Sequence, residues 1–215
     1  MRQDRAVRFR DREEAGLRLA ERLARYRDRQ PIVLALPRGG VPVAAPIAAA
    51  LAVPLEVFIA RKVGAPDQPE LGIGAVAEGG VRWQSEDALS MLGISDDEFA
   101  RLAEREEEEL RLRVERYRGA RPFPRITGRT AILVDDGLAT GGTARAALEA
   151  LRLAGPARLV LAVPVGPPAT LHWLESEADE VVCLLAPRQF AAVGYWYRDF
   201  HPVSDNEVLD LLGSE

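Results

Sequence analysis

The sequence predicts an α/β fold, with about five mostly parallel strands in one sheet and helices packed on its faces, and three observations lead there. Short continuous apolar runs recur at Ile32 to Leu36, Leu55 to Ala60, Ala131 to Val134, Leu159 to Pro164 and Val181 to Leu185. Runs of this length without alternation mark strands buried on both sides. From Ala131 onward they alternate strictly with helix-like stretches, which implies βαβ crossovers and parallel pairing. The runs ending at Leu36 and Val134 are each followed closely by paired glycines, the punctuation expected where a strand turns into a helix.

The elements follow in order. Asp11 opens a helix, with Glu14 three residues on as a capping box and Leu19, Leu23 and Tyr26 on one face. Pro31 introduces the first buried strand, the turn Pro37-Arg38-Gly39-Gly40 follows, and the alanine-rich stretch Val41 to Leu51 is the next helix. Leu55 to Ala60 is strand-like despite Glu56 and ends at Arg61-Lys62. Val63 to Gly80 carries glycines and prolines, with two short strands expected around Ile73 to Ala77 and Val81 to Trp83. A helical insertion occupies 95–118, its charges at i, i+4 spacing and its apolar stripe limited to Phe99, Ala103, Leu110, Val114 and Tyr117. Charge runs of this kind are usually solvated faces.

After the loop from Gly119 to Gly128 come strand 131–134, helix 143–154 closed by Gly155, strand 159–164, helix 167–175 and strand 181–185. A tail over 187–215 gathers Phe190, Tyr195, Trp196, Tyr197 and Phe200 before a short helix from Asp205 to Leu212. Such a cluster could form a small hood over a ligand, with Tyr195 and Trp196 as candidates for stacking, but near a chain end it is more often a packed core edge or a dimer contact. Together these describe a Rossmann-like architecture in a single domain spanning 1–215, with a helical insertion and a hood.

Composition narrows the function. With 47% apolar and 28% charged residues the chain is neither disordered nor collagenous, and its single cysteine excludes an intrachain disulfide or multi-cysteine metal site. Cys183 lies in an apolar run and is expected to be a buried structural thiol, and His172 and His201 are too few for a histidine-rich metal site. Met1 to Arg10 lacks a signal-peptide core and no run is long enough to span a membrane, so a cytoplasmic location is expected. A net charge of −5 argues against nucleic acid as a partner. Lys62 is the single lysine among the 28 basic residues.

In an open parallel sheet, ligands sit beyond the carboxyl ends of the strands. The segment after Val134 reads Asp135-Asp136-Gly137-Leu138-Ala139-Thr140-Gly141-Gly142-Thr143. Ala139 to Thr143 offer backbone amides and two hydroxyls at a helix N-terminus, where a phosphate dianion is stabilised. Two acids alongside would repel a bare phosphate, so the ligand should also present hydroxyls or a divalent cation, as a sugar phosphate does. The lysine of a P-loop and the spacing of a dinucleotide loop are absent.

Ile132 to Thr143 resembles the phosphoribosyl-diphosphate (PRPP) signature of the type I phosphoribosyltransferases, its wording closest to adenine-type members. The resemblance implies that Ala139, Thr140, Gly141, Gly142 and Thr143 hold the 5-phosphate, and that Asp135 and Asp136 bond the ribose hydroxyls. It also implies that Pro37, Arg38, Gly39 and Gly40 form the pyrophosphate loop. Arg61-Lys62 resembles the start of the family's mobile catalytic loop, where Glu70 and Glu78 are the available acids. Lys62, Arg38 and Asp136 are the catalytic candidates. Mg2+ is implied as cofactor through PRPP, with Asp135 and Asp136 the acids able to approach it, and the partners implied are PRPP, a small nitrogenous acceptor and a second copy in a homodimer. Ala139 stands where hypoxanthine/guanine-type members carry an aspartate, which counts against oxopurine chemistry. Transfer of the 5-phosphoribosyl group to a nitrogen nucleophile is the expected reaction; a PRPP-sensing regulator and a non-catalytic sugar-phosphate-binding module are the alternatives.

Overall fold

The computed structural model describes residues 8–213; the ends of the N-terminal and tail readings, residues 1–7 and 214–215, lie outside the described residues. Helix α1 (Arg12–Leu23) starts at its expected N-cap: Asp11 accepts from the Glu14 amide at 2.8 Å, while the Glu14 carboxylate accepts from the Arg10 amide, one residue before the cap amide that a full capping box would use. A 3-10 turn then carries Tyr26 into the core, and strand β1 (Ile32–Ala35) is buried at every position. Helix α2 (Gly40–Leu51) crosses to strand β2 (Leu55–Val57), and the later half supplies β6 (Thr130–Val134), α5 (Gly142–Leu153), β7 (Arg158–Val165), α6 (Pro168–Leu174) and β8 (Glu180–Leu185).

The main sheet has five strands in the order β2-β1-β6-β7-β8, every pair parallel. Its two faces bury separate sets of side chains, Val33, Ala35, Ile132 and Val134 against α1 and α2, and Ile32, Leu34, Ala131 and Leu133 on the face that α5 covers. Chain direction across the sheet reverses between β1 and β6, since β1 is followed outward by β2 and β6 by β7. That switch point opens a crevice at the carboxyl ends of β1 and β6.

The stretch from Leu55 to Gly80 departs from expectation. The apolar run at 55–60 is two strands, because the chain leaves the main sheet at Phe58 and Ile59. The Ile59 amide is taken by the Glu78 carboxylate at 2.8 Å rather than by a strand. Beyond it, β3 (Ala60–Ala65), β4 (Gln68–Ala77) and β5 (Val81–Gln84) form an antiparallel three-stranded sheet in place of a loop with two short strands. Helix α3 (Glu86–Leu92), capped by Ser85, was also not expected.

The helix expected over 95–118 is α4 (Asp96–Arg118), and it has a defined partner. Phe99, Ala103, Leu110 and Tyr117 are buried, and Phe99 and Ala103 share a cluster with Val63, Ile73 and Val76 of the small sheet. Its last residue, Arg118, is buried, pairs with Glu78 and donates to the Val57 carbonyl at 2.6 Å. The helix thus backs the small sheet and latches onto the point where the chain passes between sheets. The tail continues through a 3-10 turn (Val193–Trp196) to α7 (Asp205–Leu211).

Candidate active site

Two loops meet in the crevice between β1 and β6. After β1, Pro37 to Gly40 turn directly into α2, the Pro37–Arg38 peptide being cis. Gly39 is required by contact rather than by φ: a Cβ there would lie 2.1 Å from the Asp136 Oδ2. The loop is therefore built flush against the acids at the end of β6. Arg38 is exposed and faces Asp205 of α7 at 3.7 Å.

Asp136 is held in place by its neighbours. Arg12, from the first turn of α1, reaches Asp136 Oδ2 with Nε at 2.9 Å and Nη2 at 2.8 Å, while its Nη1 donates to the His201 carbonyl at 2.9 Å. The same guanidinium lies 3.8 Å from the centre of the Phe200 ring. Tyr197 donates its hydroxyl to the Asp136 carbonyl at 2.6 Å. Asp135 accepts from the Asp136 amide at 2.8 Å. Burial, and then the charge of Asp136, push the Asp135 carboxyl well above the usual carboxylate range. Burial also raises Asp136, with Arg12 opposing the rise.

Beyond the acids, residues 137–144 and Asp135 line a recess of about 160 Å³ at the N-terminus of α5. Gly141 turns the chain there with φ +76°, a conformation that strains side-chain-bearing residues. Ala139, Thr140 and Thr143 are exposed, and the Ala139 carbonyl is tied back by the Thr170 hydroxyl at 3.0 Å. Amides and hydroxyls at a helix start suit a phosphate.

Strand alternation separates Arg61 from Lys62. Arg61 points to α4 and meets Glu106 at 2.5 Å. Lys62 lies on the opposite face, its Cδ 3.3 Å from where a Cβ on Gly72 would stand and 3.5 Å from where one on Gly142 would stand. The lysine therefore lies over the start of α5, and Gly39 lies against Asp136, whereas the Arg38 side chain turns to Asp205. Of the two loop acids, Glu78 is consumed by Arg118 and the Ile59 amide and is structural. Glu70 lies on β4, and its side chain is outside the described residues.

Both histidines are exposed, and Cys183 is half-buried, its thiol pushed up to about 11 by burial. Trp196 is buried with Phe9 and Tyr197 as part of a core, whereas Tyr195 is exposed beneath the Arg8 guanidinium at 4.0 Å. Sequence reasoning missed Arg12 and Tyr197, which lie 124 and 61 residues from Asp136 and carry no local signal of the contact. Among the described residues no cluster of three or more His, Cys, Asp or Glu is placed to hold a metal, and no helix is long and apolar enough to cross a membrane.

A parallel sheet with a recess at a helix N-terminus, two adjacent acids and a glycine loop at its switch point defines an open α/β fold with its candidate site at the strand carboxyl ends. The phosphoribosyl transferase domain model matches residues 11–198, and the chain belongs to that family. The crystal structure of TT1426 from Thermus thermophilus is similar, with a TM-score of 0.87, 47% identity, and coverage of 95% of this chain and 97% of that one. Proteins provisionally named phosphoribosyl transferases in two Mycobacterium tuberculosis strains are 45% identical over 204 residues. The match takes in 95% of this chain but 46% of theirs, so the chain spans about half the length of those curated relatives.

Proposed function

We propose that this chain transfers the 5-phosphoribosyl group of PRPP to a nitrogen nucleophile, a nucleobase, with release of pyrophosphate. The observation that carries the reading is the mutual construction of the two switch-point loops, Gly39 seated on Asp136, with Lys62 overhanging the amide recess. In this reading residues 139–143 bind the 5-phosphate, Asp135 and Asp136 bond the ribose hydroxyls, and residues 37–40 take the diphosphate. The C1–O bond to diphosphate breaks as the C1–N bond forms, and the nitrogen's proton passes to solvent. In this reading Lys62, and Arg38 once turned from Asp205, offset the charge that grows on the leaving group.

Mg2+ fits as an ion brought in with the diphosphate, because the acids present are already bonded to Arg12 and the Asp136 amide. It would supply charge neutralisation on the leaving group, with Asp135 and Asp136 as the nearest acids.

Pyrophosphate release with PRPP, Mg2+ and a panel of nucleobases tests the reaction, beside calorimetric titration of PRPP alone. Release with at least one base is expected. PRPP binding without release from any base would establish a sensor or silent binding module instead, and failure to bind would end the reading. Asp136→Asn should weaken PRPP binding by about tenfold or more, equivalent to ~1.4 kcal/mol; unchanged affinity would remove the ribose assignment.

A further inference from the structure

Lys62, Ala75 and Trp83 form one row across the three strands of the small sheet, Lys62 opposite Ala75 on β4 and Ala75 opposite Trp83 on β5. Residues directly opposite share a face, so Trp83 and Lys62 point the same way. The face they share packs on α5, since Ala60, Ala75 and Ala77 cluster with Ala144, Ala147 and Leu148, and Trp83 packs against them. One turn of α5 receives both ends of the row: Lys62 lies over Gly142, and Trp83 over Arg145. The Arg145 guanidinium is 4.9 Å from the centre of the Trp83 ring and 4.8 Å from that of Trp173 on α6. Glu149 at 2.7 Å and Glu177 at 3.3 Å fix its orientation. Trp173 also reaches the phosphate-type loop, its Cζ3 lying 3.5 Å from where a Cβ on Gly141 would stand.

We propose that Trp83, Arg145 and Trp173 form a cation sandwich that sets the register of the small sheet on α5 and so seats Lys62 over the phosphate-binding loop. They are positioning residues, acting through Lys62, and their part in the reaction rests on the PRPP reading above. The physical argument is one of leverage. The face toward α5 is built largely of alanines, which bury little area each and interlock weakly, while a guanidinium over an indole ring is held by the ring quadrupole and favours one placement of the ring. Removing the Trp83 ring leaves the strands paired but frees the row to slide or lift, taking Lys62 with it.

The chain has a single lysine, so an amine-directed reagent reports on this seat specifically, the N-terminal amine being resolved by peptide mass spectrometry. Acetylation of Lys62 under native conditions is compared for the wild-type chain, Trp83→Ala, Trp83→Phe and Arg145→Gln, with circular dichroism confirming that each is folded. Trp83→Ala and Arg145→Gln should change the Lys62 rate by severalfold, while Trp83→Phe stays near wild type. Equal rates in all folded variants would overturn the proposal. Calorimetry with PRPP–Mg2+ supplies the second arm: Trp83→Ala should weaken binding in the wild-type background and have little effect in a Lys62→Ala background. An equal loss in both backgrounds would show that the ring acts without Lys62. Because acetylation needs no ligand, failure to bind PRPP would refute the functional reading alone, and an unmoved Lys62 would refute the sandwich alone.

Discussion

Lys62 shows how one residue's meaning depends on which way a strand faces. Arg61 and Lys62 look equivalent in sequence, yet alternation sends the arginine to Glu106 on α4 and the lysine to the recess. The lysine stem runs alongside two glycines, its Cδ 3.3 and 3.5 Å from where a Cβ on Gly72 or Gly142 would stand, so the absence of side chains at both is what lets it cross toward the recess. A guanidinium there would carry its charge on a wider, planar head that cannot replace a compact ammonium. Lys62→Arg should therefore fold normally and lose roughly tenfold or more in transfer rate, as expected when a charge is misplaced by about an ångström. Steady-state pyrophosphate release decides this, and full activity would reduce Lys62 to a packing residue. Gly39 makes the complementary point, because it is glycine for the sake of Asp136, a residue 97 positions away whose partnership no local pattern announces.

Elements were legible where their physics is local. The N-cap at Asp11, the strands β1, β6, β7 and β8, and the PRPP-like turn into α5 all rest on neighbouring residues, and their positions agree with the sequence to within a residue or two; only β8, at the sheet edge, is half-exposed where a strand buried on both sides was expected. What was not legible is what distance decides. The run from Leu55 to Ala60 gives no sign that a buried carboxylate, Glu78, intercepts the chain and diverts it into a second sheet. The insertion α4 reads as a solvated charged helix, and most of it is, but the argument from charge could not show that Arg118 would be its anchor.

Helix α5 carries a further device. Glu149 is raised to about 7 from an ordinary 4.5, by burial first, with the pull of Arg145 in the other direction. A folded-state value above the unfolded one means that the folded chain holds the proton more tightly. The associated stability is fully present below about pH 4.5 and is lost as pH rises to about 7. Melting curves across this window should fall more steeply for the wild type than for Glu149→Gln, which mimics the protonated form; parallel curves would show that Glu149 titrates normally.

For the whole molecule, charge separates the transferase reading from a regulatory one. A net charge of −5 leaves no general attraction for a polyphosphate backbone, while amides and single cations can still bind a small phosphorylated ligand. At low salt and micromolar concentration the chain should not retard duplex DNA in a gel. Retardation that weakens with added salt would favour a PRPP-responsive regulator.

The Arg12–Asp136 pair has a consequence for assembly. It closes a loop of 124 residues and ties the start of the described chain to its middle, while Tyr197 and the His201 carbonyl add the far end. Contacts between such distant positions are slow to form and give no reward until the intervening chain is ordered. A recess whose acid is oriented from three remote parts of the chain exists only in the finished molecule. Ligand occupancy is thus a direct count of native chains, and a tight ligand should protect the entire polypeptide from heat and protease alike.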